Sequence, residues 1–289
     1  MRKVLVTGGG GHLGSHLLTA LNKEYEAHAI VRTIPDKPVE KVNYHLVDLS
    51  KPWSAGQLPP QIDAIVHLAQ ARNYRDFPKN APEIFRVNVE STAMLLDYAV
   101  RAGSKHFFLA STGGLYKPNE AVLQEDSPIL PQDGPLSYYL RSKWCGEILA
   151  VPYRSSMYVN ILRPFFIYGP GQTPDKMIAR IISRVQAREP ISIIGKGGTK
   201  LNPVYVQDVV DLVIALLQKK ESKTINVAGP QVVSIRDIAE KCGKALGVSV
   251  LIEEEAGRPS SFISNYGLME DMLSRRLRSF DEGLRAWLK

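Results

Sequence analysis

"VTGGGGHLGSHL", Val6 to Leu17, places five glycines within seven positions directly after a short apolar run. Glycine loses more backbone entropy on folding than any other residue, so such a cluster marks a tight turn or a close approach by something else. Upstream, Lys3 to Thr7 has the pattern of a buried strand; downstream, Leu13, Leu17, Leu18 and Leu21 recur at helical spacing on one face. The glycines therefore fall at a strand-to-helix turn, where the first free N–H groups of the helix and its dipole favour a phosphate. Gly9, Gly11 and Gly14 fit G-x-G-x-x-G, while Gly8, Gly11 and Gly14 fit G-x-x-G-x-x-G. Both registers use Gly11 for close approach and Gly14 for packing helix on strand, as in a dinucleotide-binding turn.

The alternation of elements extends that reading. Strand-like runs at Ala27–Val31, Tyr44–Val47, Ala64–Leu68, His106–Ala110 and Val159–Leu162 are separated by helical segments such as Ile84–Ala102. The fold class expected is α/β: a doubly wound, Rossmann-type parallel sheet with ligands at the carboxyl ends of its strands. After "RPFFIYGPGQTPDK" the order changes: a helix over Met177–Arg188, a strand in "PISIIG", a helix over Val209–Leu217, and a strand in "TINVAG". A helix over Ile235–Leu246 follows, with Ser234 as its N-cap, and a last one begins at Asp281. The dinucleotide-binding domain is placed at 1–168 and 204–228, and a smaller, discontinuous C-terminal substrate domain at 169–203 and 229–289.

Composition excludes several classes. With 289 residues, 44% hydrophobic and 22% charged, the chain has an ordinary globular make-up and ample core. It has no apolar stretch of membrane-span length and no signal peptide, so a cytoplasmic location and no membrane partner are expected. The net charge of +7 suits an anionic ligand, but the basic residues are dispersed and no nucleic-acid partner is expected. Cys145 and Cys242 lack metal or redox spacing and read as buried thiols. His12 and His16 stand four apart without a thiol or carboxylate partner, so no metal site is expected.

Two further stretches carry chemistry. "YYLRSKWCGE" sets Tyr139 and Lys143 one helical turn apart, and an ammonium beside a phenol favours the phenolate needed for acid/base work. A packing tyrosine beside a surface lysine gives the same spacing. The strand "HFFLA" runs into "STGGLY", bringing the Ser111 and Thr112 hydroxyls to a carboxyl strand end, where they could reach a substrate oxygen or cap the following turn.

Glycine turn, strand-end hydroxyl and Y-x-x-x-K, in that order, resemble the short-chain dehydrogenase/reductase superfamily, specifically its extended branch of nucleotide-sugar epimerases, dehydratases and ketoreductases. "VDLS" at 47–50, "HLAQ" at 67–70 beside the family's H-L-A-A, "VNVESTAMLLDYA" with Asn88, "RPFFIYGPGQ" at 163–172 and "VYVQDVVDLV" extend the resemblance over nearly the whole chain. It implies that Tyr139 exchanges the substrate proton, that Lys143 lowers its pKa and holds the nicotinamide ribose, and that Thr112 shares the substrate oxygen. It implies cofactor contacts at Gly8, Gly11, His12, Leu13 and Gly14, then at Asp48 and Leu49 near adenine. Leu68 and Ala69, Pro164 and Ile167 complete the set with Tyr139 and Lys143. Ser111, Thr112, Lys200 and Arg258 are the implied substrate contacts.

Three departures qualify the expectation. Gly113 and Gly114 stand where dehydratases of the family carry Asp-Glu, so dehydration ranks below epimerisation or ketone reduction. Leu201 stands where many members have an arginine for the diphosphate, leaving Arg180, Lys196, Lys200 and Arg258 as sources of charge. Arg32 ends the second strand where NAD-specific members place an acid; a guanidinium suits a 2′-phosphate instead, so NADP(H) is favoured and NAD(H) remains open. The expected function is hydride transfer at a hydroxyl or keto carbon of a nucleotide sugar, by 4-epimerisation or ketoreduction. The alternatives are an NADPH-dependent reductase of a non-sugar carbonyl and a non-catalytic dinucleotide- or RNA-binding relative. A homodimer is expected through the helices of Ile84–Ala102 and Ser137–Ala150, with Met94, Leu95, Tyr98, Trp144 and Ile148 as its apolar surface.

Overall fold

Short strand-forming runs, largely buried except in the edge strand over 43–46, form the centre of the computed structural model, which describes residues 1–117 and 121–288. They are β1 (Lys3–Thr7), β2 (Glu26–Val31), β3 (Asn43–Leu46), β4 (Ala64–His67), β5 (His106–Ala110) and β6 (Tyr158–Pro164), with β7 (Thr224–Val227) at one edge. The sheet order is β7-β6-β5-β4-β1-β2-β3, and β1 to β6 pair in parallel. Central parallel strands covered by helices read as unbroken apolar runs, and all four residues of β4 are buried. The strand order reverses between β1 and β4, which opens a crevice at their carboxyl ends.

The chain divides into two compact units. The first is built from Met1–Lys117, Pro128–Arg163 and Val210–Ile225, the second from the segments between and after them. In the first unit, α1 (His12–Leu21) buries Gly14, Leu17, Leu18 and Leu21. The expected helix Ile84–Ala102 is instead α2 (Ala81–Phe85) and α3 (Ser91–Arg101), separated by one wider π-type turn over Arg86–Glu90. The apolar spacing continues across that turn, so periodicity alone does not reveal it; Asn88 within it is drawn inward to buried partners.

The face of α4 (Ser137–Ala150) that turns inward carries Tyr139, Leu140, Lys143, Gly146, Glu147 and Ala150. Cys145 lies on the opposite side of that helix and is exposed, contrary to the expectation of a buried thiol; Cys242 is buried. Leu95 and Tyr98 also depart from the expected interface role. They are core residues of this unit, and the Tyr98 hydroxyl donates to the Pro59 carbonyl at 2.6 Å. Trp144 and Ile148 do remain exposed.

The second unit holds α5 (Met177–Ala187), the first turn of α6 (Val206–Leu217), α7 (Ile235–Leu246), α8 (Gly267–Leu273) and α9 (Phe280–Leu288). Its core includes Tyr168, Ile178, Ile182, Leu201, Ile238 and Phe280. Ser234 caps α7 as expected, and its side chain and that of Asp237 form a reciprocal capping box, an arrangement that stabilises a helix by about 1 kcal/mol. Fully buried Asp208 is held by Arg275 and Arg278 at 2.8 and 2.7 Å.

Candidate active site

The glycine turn is built by backbone. Gly8 takes φ +69°, in the left-handed region that favours glycine, and a Cβ there would lie 3.0 Å from the Ala69 nitrogen. A Cβ on Gly14 would overlap the Gly8 carbonyl oxygen, so α1 sits closer to β1 than any side chain permits. Gly11 is the N-cap and offers no side-chain cap to the first turn of α1. The N–H groups of His12, Leu13 and Gly14 in that first turn are suited to an anion. Leu68 and Ala69 meet Gly8 directly, so the carboxyl ends of β1 and β4 share one small region.

A directional chain of buried hydrogen bonds fixes that region to α4. The Thr92 hydroxyl donates to the Asn88 carbonyl at 2.8 Å, so Thr92 Oγ1, 3.1 Å from His67 Nε2, accepts from that nitrogen. His67 is therefore protonated at Nε2, and its Nδ1 accepts from the Thr7 hydroxyl at 2.7 Å, while Thr7 Oγ1 accepts from the Ala69 N–H at 3.0 Å. Burial, with the Lys143 charge adding to it, pulls the His67 pKa down to about 3, so the imidazole stays neutral in this relay. Asn88 accepts from the Ala71 N–H at 3.1 Å and donates through Nδ2 to Ser142 Oγ at 2.9 Å. Ser142 in turn donates to the Tyr139 carbonyl at 2.7 Å.

Thr112 caps the short turn Gly113–Leu115, accepting from the Gly114 N–H at 3.1 Å, and its hydroxyl lies near enough to the Tyr139 phenol to favour the phenolate. Of the two roles weighed for the strand-end hydroxyl, capping the following turn is the one this side chain holds here. The Tyr139 hydroxyl donates to Gln70 Oε1 at 3.2 Å, and the Tyr74 ring lies 4.6 Å from the Tyr139 ring. Ser111 Oγ is buried without a hydrogen-bond partner.

The electrostatics differ from the expected phenolate. Burial first, and Tyr74 second, push the Tyr139 phenol above the ordinary tyrosine range, only partly offset by Thr112. Lys143 donates to the Ala110 carbonyl at 2.8 Å. Burial lowers its pKa to about 8, against the opposing pull of the Glu147 carboxylate one turn along α4. Glu147 is itself locked in a buried bidentate pair with Arg163, at 3.0 and 2.7 Å, and Arg163 also donates to the Tyr116 hydroxyl. Burial opposes the Arg163 charge, but the bonds to Glu147 and its charge, with Tyr116 adding to them, outweigh it and raise the pKa.

The remaining residues singled out in the sequence are dispersed. Arg32 is exposed just beyond β2. Burial raises the Asp48 carboxyl, yet two bonds from Ser50 and the charges of Lys51 and Arg32 hold it below the usual range. Leu49 is buried and its carbonyl accepts from Ser91 Oγ at 3.2 Å. Pro164, Ile167, Lys200 and Arg258 belong to the second unit, where Lys200 and Arg258 are exposed on and near a small sheet joining 200–201 to 233–234 and 261–262. Leu201 is fully buried in the core of that unit, so this position supplies packing rather than charge. Sequence reasoning missed Gln70, Tyr74, Ser142 and Glu147. The signals present were the fourth letter of "HLAQ" and the one-turn step from Lys143 to Glu147. Among the described residues no group of three or more His, Cys, Asp or Glu could hold a metal ion, and no helix is long and apolar enough to cross a membrane.

The model of the NAD dependent epimerase/dehydratase family matches residues 4–228. The chain is 31% identical over 280 residues to dTDP-4-dehydro-6-deoxy-D-allose reductase of Streptomyces sp., covering 89% of this chain and 85% of the relative. It is 28% identical over 262 residues to UDP-glucuronate 4-epimerase of Thermodesulfobacterium geofontis, covering 84% and 80%. Among solved structures it resembles the UDP-glucuronic acid 4-epimerase from Bacillus cereus in complex with UDP-glucuronic acid and NAD. The TM-score is 0.85 at 27% identity, over 99% of this chain and 98% of that one.

Proposed function

Because the chain belongs to the NAD dependent epimerase/dehydratase family, we propose that it transfers hydride at a hydroxyl- or keto-bearing carbon of a nucleotide-activated sugar, by ketoreduction or 4-epimerisation. The observation that carries this reading is the cluster of Thr112, Tyr139 and Lys143, linked through Gln70 to the stretch that abuts the glycine turn.

A dinucleotide fits the residues present, since the left-handed Gly8 and the Cβ-free approach of Gly14 leave an uncapped helix N-terminus open to a diphosphate. Gly8, Gly11, His12, Leu13 and Gly14 would hold the diphosphate, Asp48 and Leu49 the adenosine end, and Leu68, Ala69, Tyr139 and Lys143 the nicotinamide half. When bound, the nicotinamide supplies or accepts the hydride. Tyr139 delivers the proton to the substrate oxygen, Thr112 steadies that oxygen, and the Lys143 ammonium stabilises the phenolate left behind. Ser111, its hydroxyl unpartnered, is a second donor for the substrate. A phenol held protonated by burial suits the reductive direction, in which it gives its proton first. Epimerisation requires the same group to take a proton first. Gly113 and Gly114 supply no acid/base pair for water elimination, and a Cβ at Gly114 would lie 2.9 Å from Leu140 Cδ2.

The first unit takes the role of dinucleotide-binding domain and the second that of substrate domain, where Lys200 and Arg258 replace the charge that Leu201 lacks. A reductase of a non-sugar carbonyl is the second reading, favoured by that burial of Leu201. Trp144 and Ile148, exposed on α4, serve a homodimer contact. The similar solved enzyme carries NAD. This chain differs from an NAD-type site in its exposed Arg32, whose guanidinium can pair with a 2′-phosphate, so the cofactor is NADP(H) over NAD(H). Dissociation constants for both, on wild type and Arg32→Ala, decide it: a preference that falls about tenfold in the variant supports NADP(H), and a wild type that binds NAD equally well contradicts it. The function is tested by incubating purified protein with NADH or NADPH and UDP-, GDP- and dTDP-hexoses and their 4-keto forms. Turnover of a non-sugar carbonyl alone would favour the second reading.

A further inference from the structure

The reacting phenol has a neighbour that the proton-transfer scheme does not use. Gln70 directly follows Ala69, whose backbone meets Gly8, and its carboxamide oxygen lies 3.2 Å from the Tyr139 hydroxyl. Tyr139 is buried, whereas Gln70 is exposed, so the phenol is bonded to a side chain that also meets solvent. On another side the Tyr74 ring packs against Tyr139. At this position the pattern H-L-A-A has a methyl group; here there is a side chain with one acceptor and two donors.

We propose that Gln70 is a specificity-determining residue whose carboxamide binds the substrate hydroxyl on the carbon next to the reacting one, giving up its bond to Tyr139 as the substrate arrives. This rests on the sugar reading above. A sugar carries oxygens on adjacent carbons. When one oxygen is shared by Tyr139 and Thr112, the next falls within reach of a group already bonded to that phenol. The exchange conserves hydrogen bonds only for a substrate that has the vicinal hydroxyl. An analogue lacking it breaks the Gln70–Tyr139 bond and returns nothing, which makes discrimination the signature. Because the carboxamide is neutral at every pH, the discrimination is independent of pH.

The test uses the cofactor-loaded full chain, as wild type and Gln70→Ala, with a nucleotide hexose and the same compound lacking the hydroxyl next to the reacting carbon. Dissociation constants and kcat/KM are measured for both compounds. The expected result is a wild-type preference for the hydroxylated compound of about tenfold that collapses toward unity in Gln70→Ala, with an unchanged Tm and pH profile. A preference that survives in Gln70→Ala overturns the proposal. So does an equal loss on both compounds with a shifted pH profile, since Gln70 would then act only by positioning Tyr139. If the wild type itself binds dinucleotide but no nucleotide sugar, the sugar reading has failed, and this assignment fails with it.

Discussion

The turn between β1 and α1 and the inner face of α4 lie in one unit and serve one proposed reaction, but they are made in opposite ways. The turn is shaped by backbone: left-handed Gly8 and the contact of Gly14 with the Gly8 carbonyl oxygen permit no side chain. The inner face of α4 is shaped by side chains held by other side chains, from Tyr139 against Gln70 and Tyr74 to Glu147 against Arg163. A backbone site tolerates almost no substitution but needs no partners. The side-chain site is adjustable, and its properties depend on residues far away in sequence.

The sharpest way to break the contrast is at the turn. Gly14→Val puts branched carbon where even a Cβ overlaps backbone, so α1 must move from β1. Dinucleotide affinity is expected to drop by 100-fold or more, roughly the loss of two charge-assisted bonds. Retained affinity, read by fluorescence titration, would show that the turn is not the anchor.

A change on α4 is expected to act first on stability. Glu147→Gln leaves the Arg163 guanidinium buried without its carboxylate, a loss on the order of 3–5 kcal/mol in denaturant unfolding. A cost below about 1 kcal/mol would mean that the pair does not hold the helix.

The smallest effect is a shift in pH dependence. Lys143 has its pKa lowered to about 8 in the folded chain, so its ammonium is present below that pH and lost above it. Turnover should therefore be level near neutrality and fall above pH 8. In Glu147→Gln, provided it folds, the limb moves lower, because the carboxylate that raises the lysine pKa is gone. An unmoved limb would separate Lys143 from the pH profile.

The same contrast explains what the sequence disclosed. Glycines forced by sterics are visible as letters, and the buried runs of β1 and β4 give the parallel sheet directly. The pairing of Tyr139 with Lys143 is local, one turn apart, and therefore legible; its electrostatics are not, because burial and Tyr74 come from the folded surroundings. Asn88 and Ser142 bond across 54 positions, which no spacing encodes. The π-type turn at Arg86–Glu90 was hidden because it preserves the apolar rhythm on either side. Cys145 was misplaced because α4, lined inward by polar Tyr139, Lys143 and Glu147, has no simple apolar stripe from which to read its face.

In the proposed reaction the side chains of α4 carry proton transfer while the glycine turn carries the dinucleotide. Tyr139→Phe keeps the ring against Tyr74 and removes only the hydroxyl, so dinucleotide binding and turnover of the active nucleotide sugar should be measured together on this one variant. The expected result is an unchanged dissociation constant and a fall in kcat of about 10²- to 10⁴-fold. Near-normal turnover would contradict it.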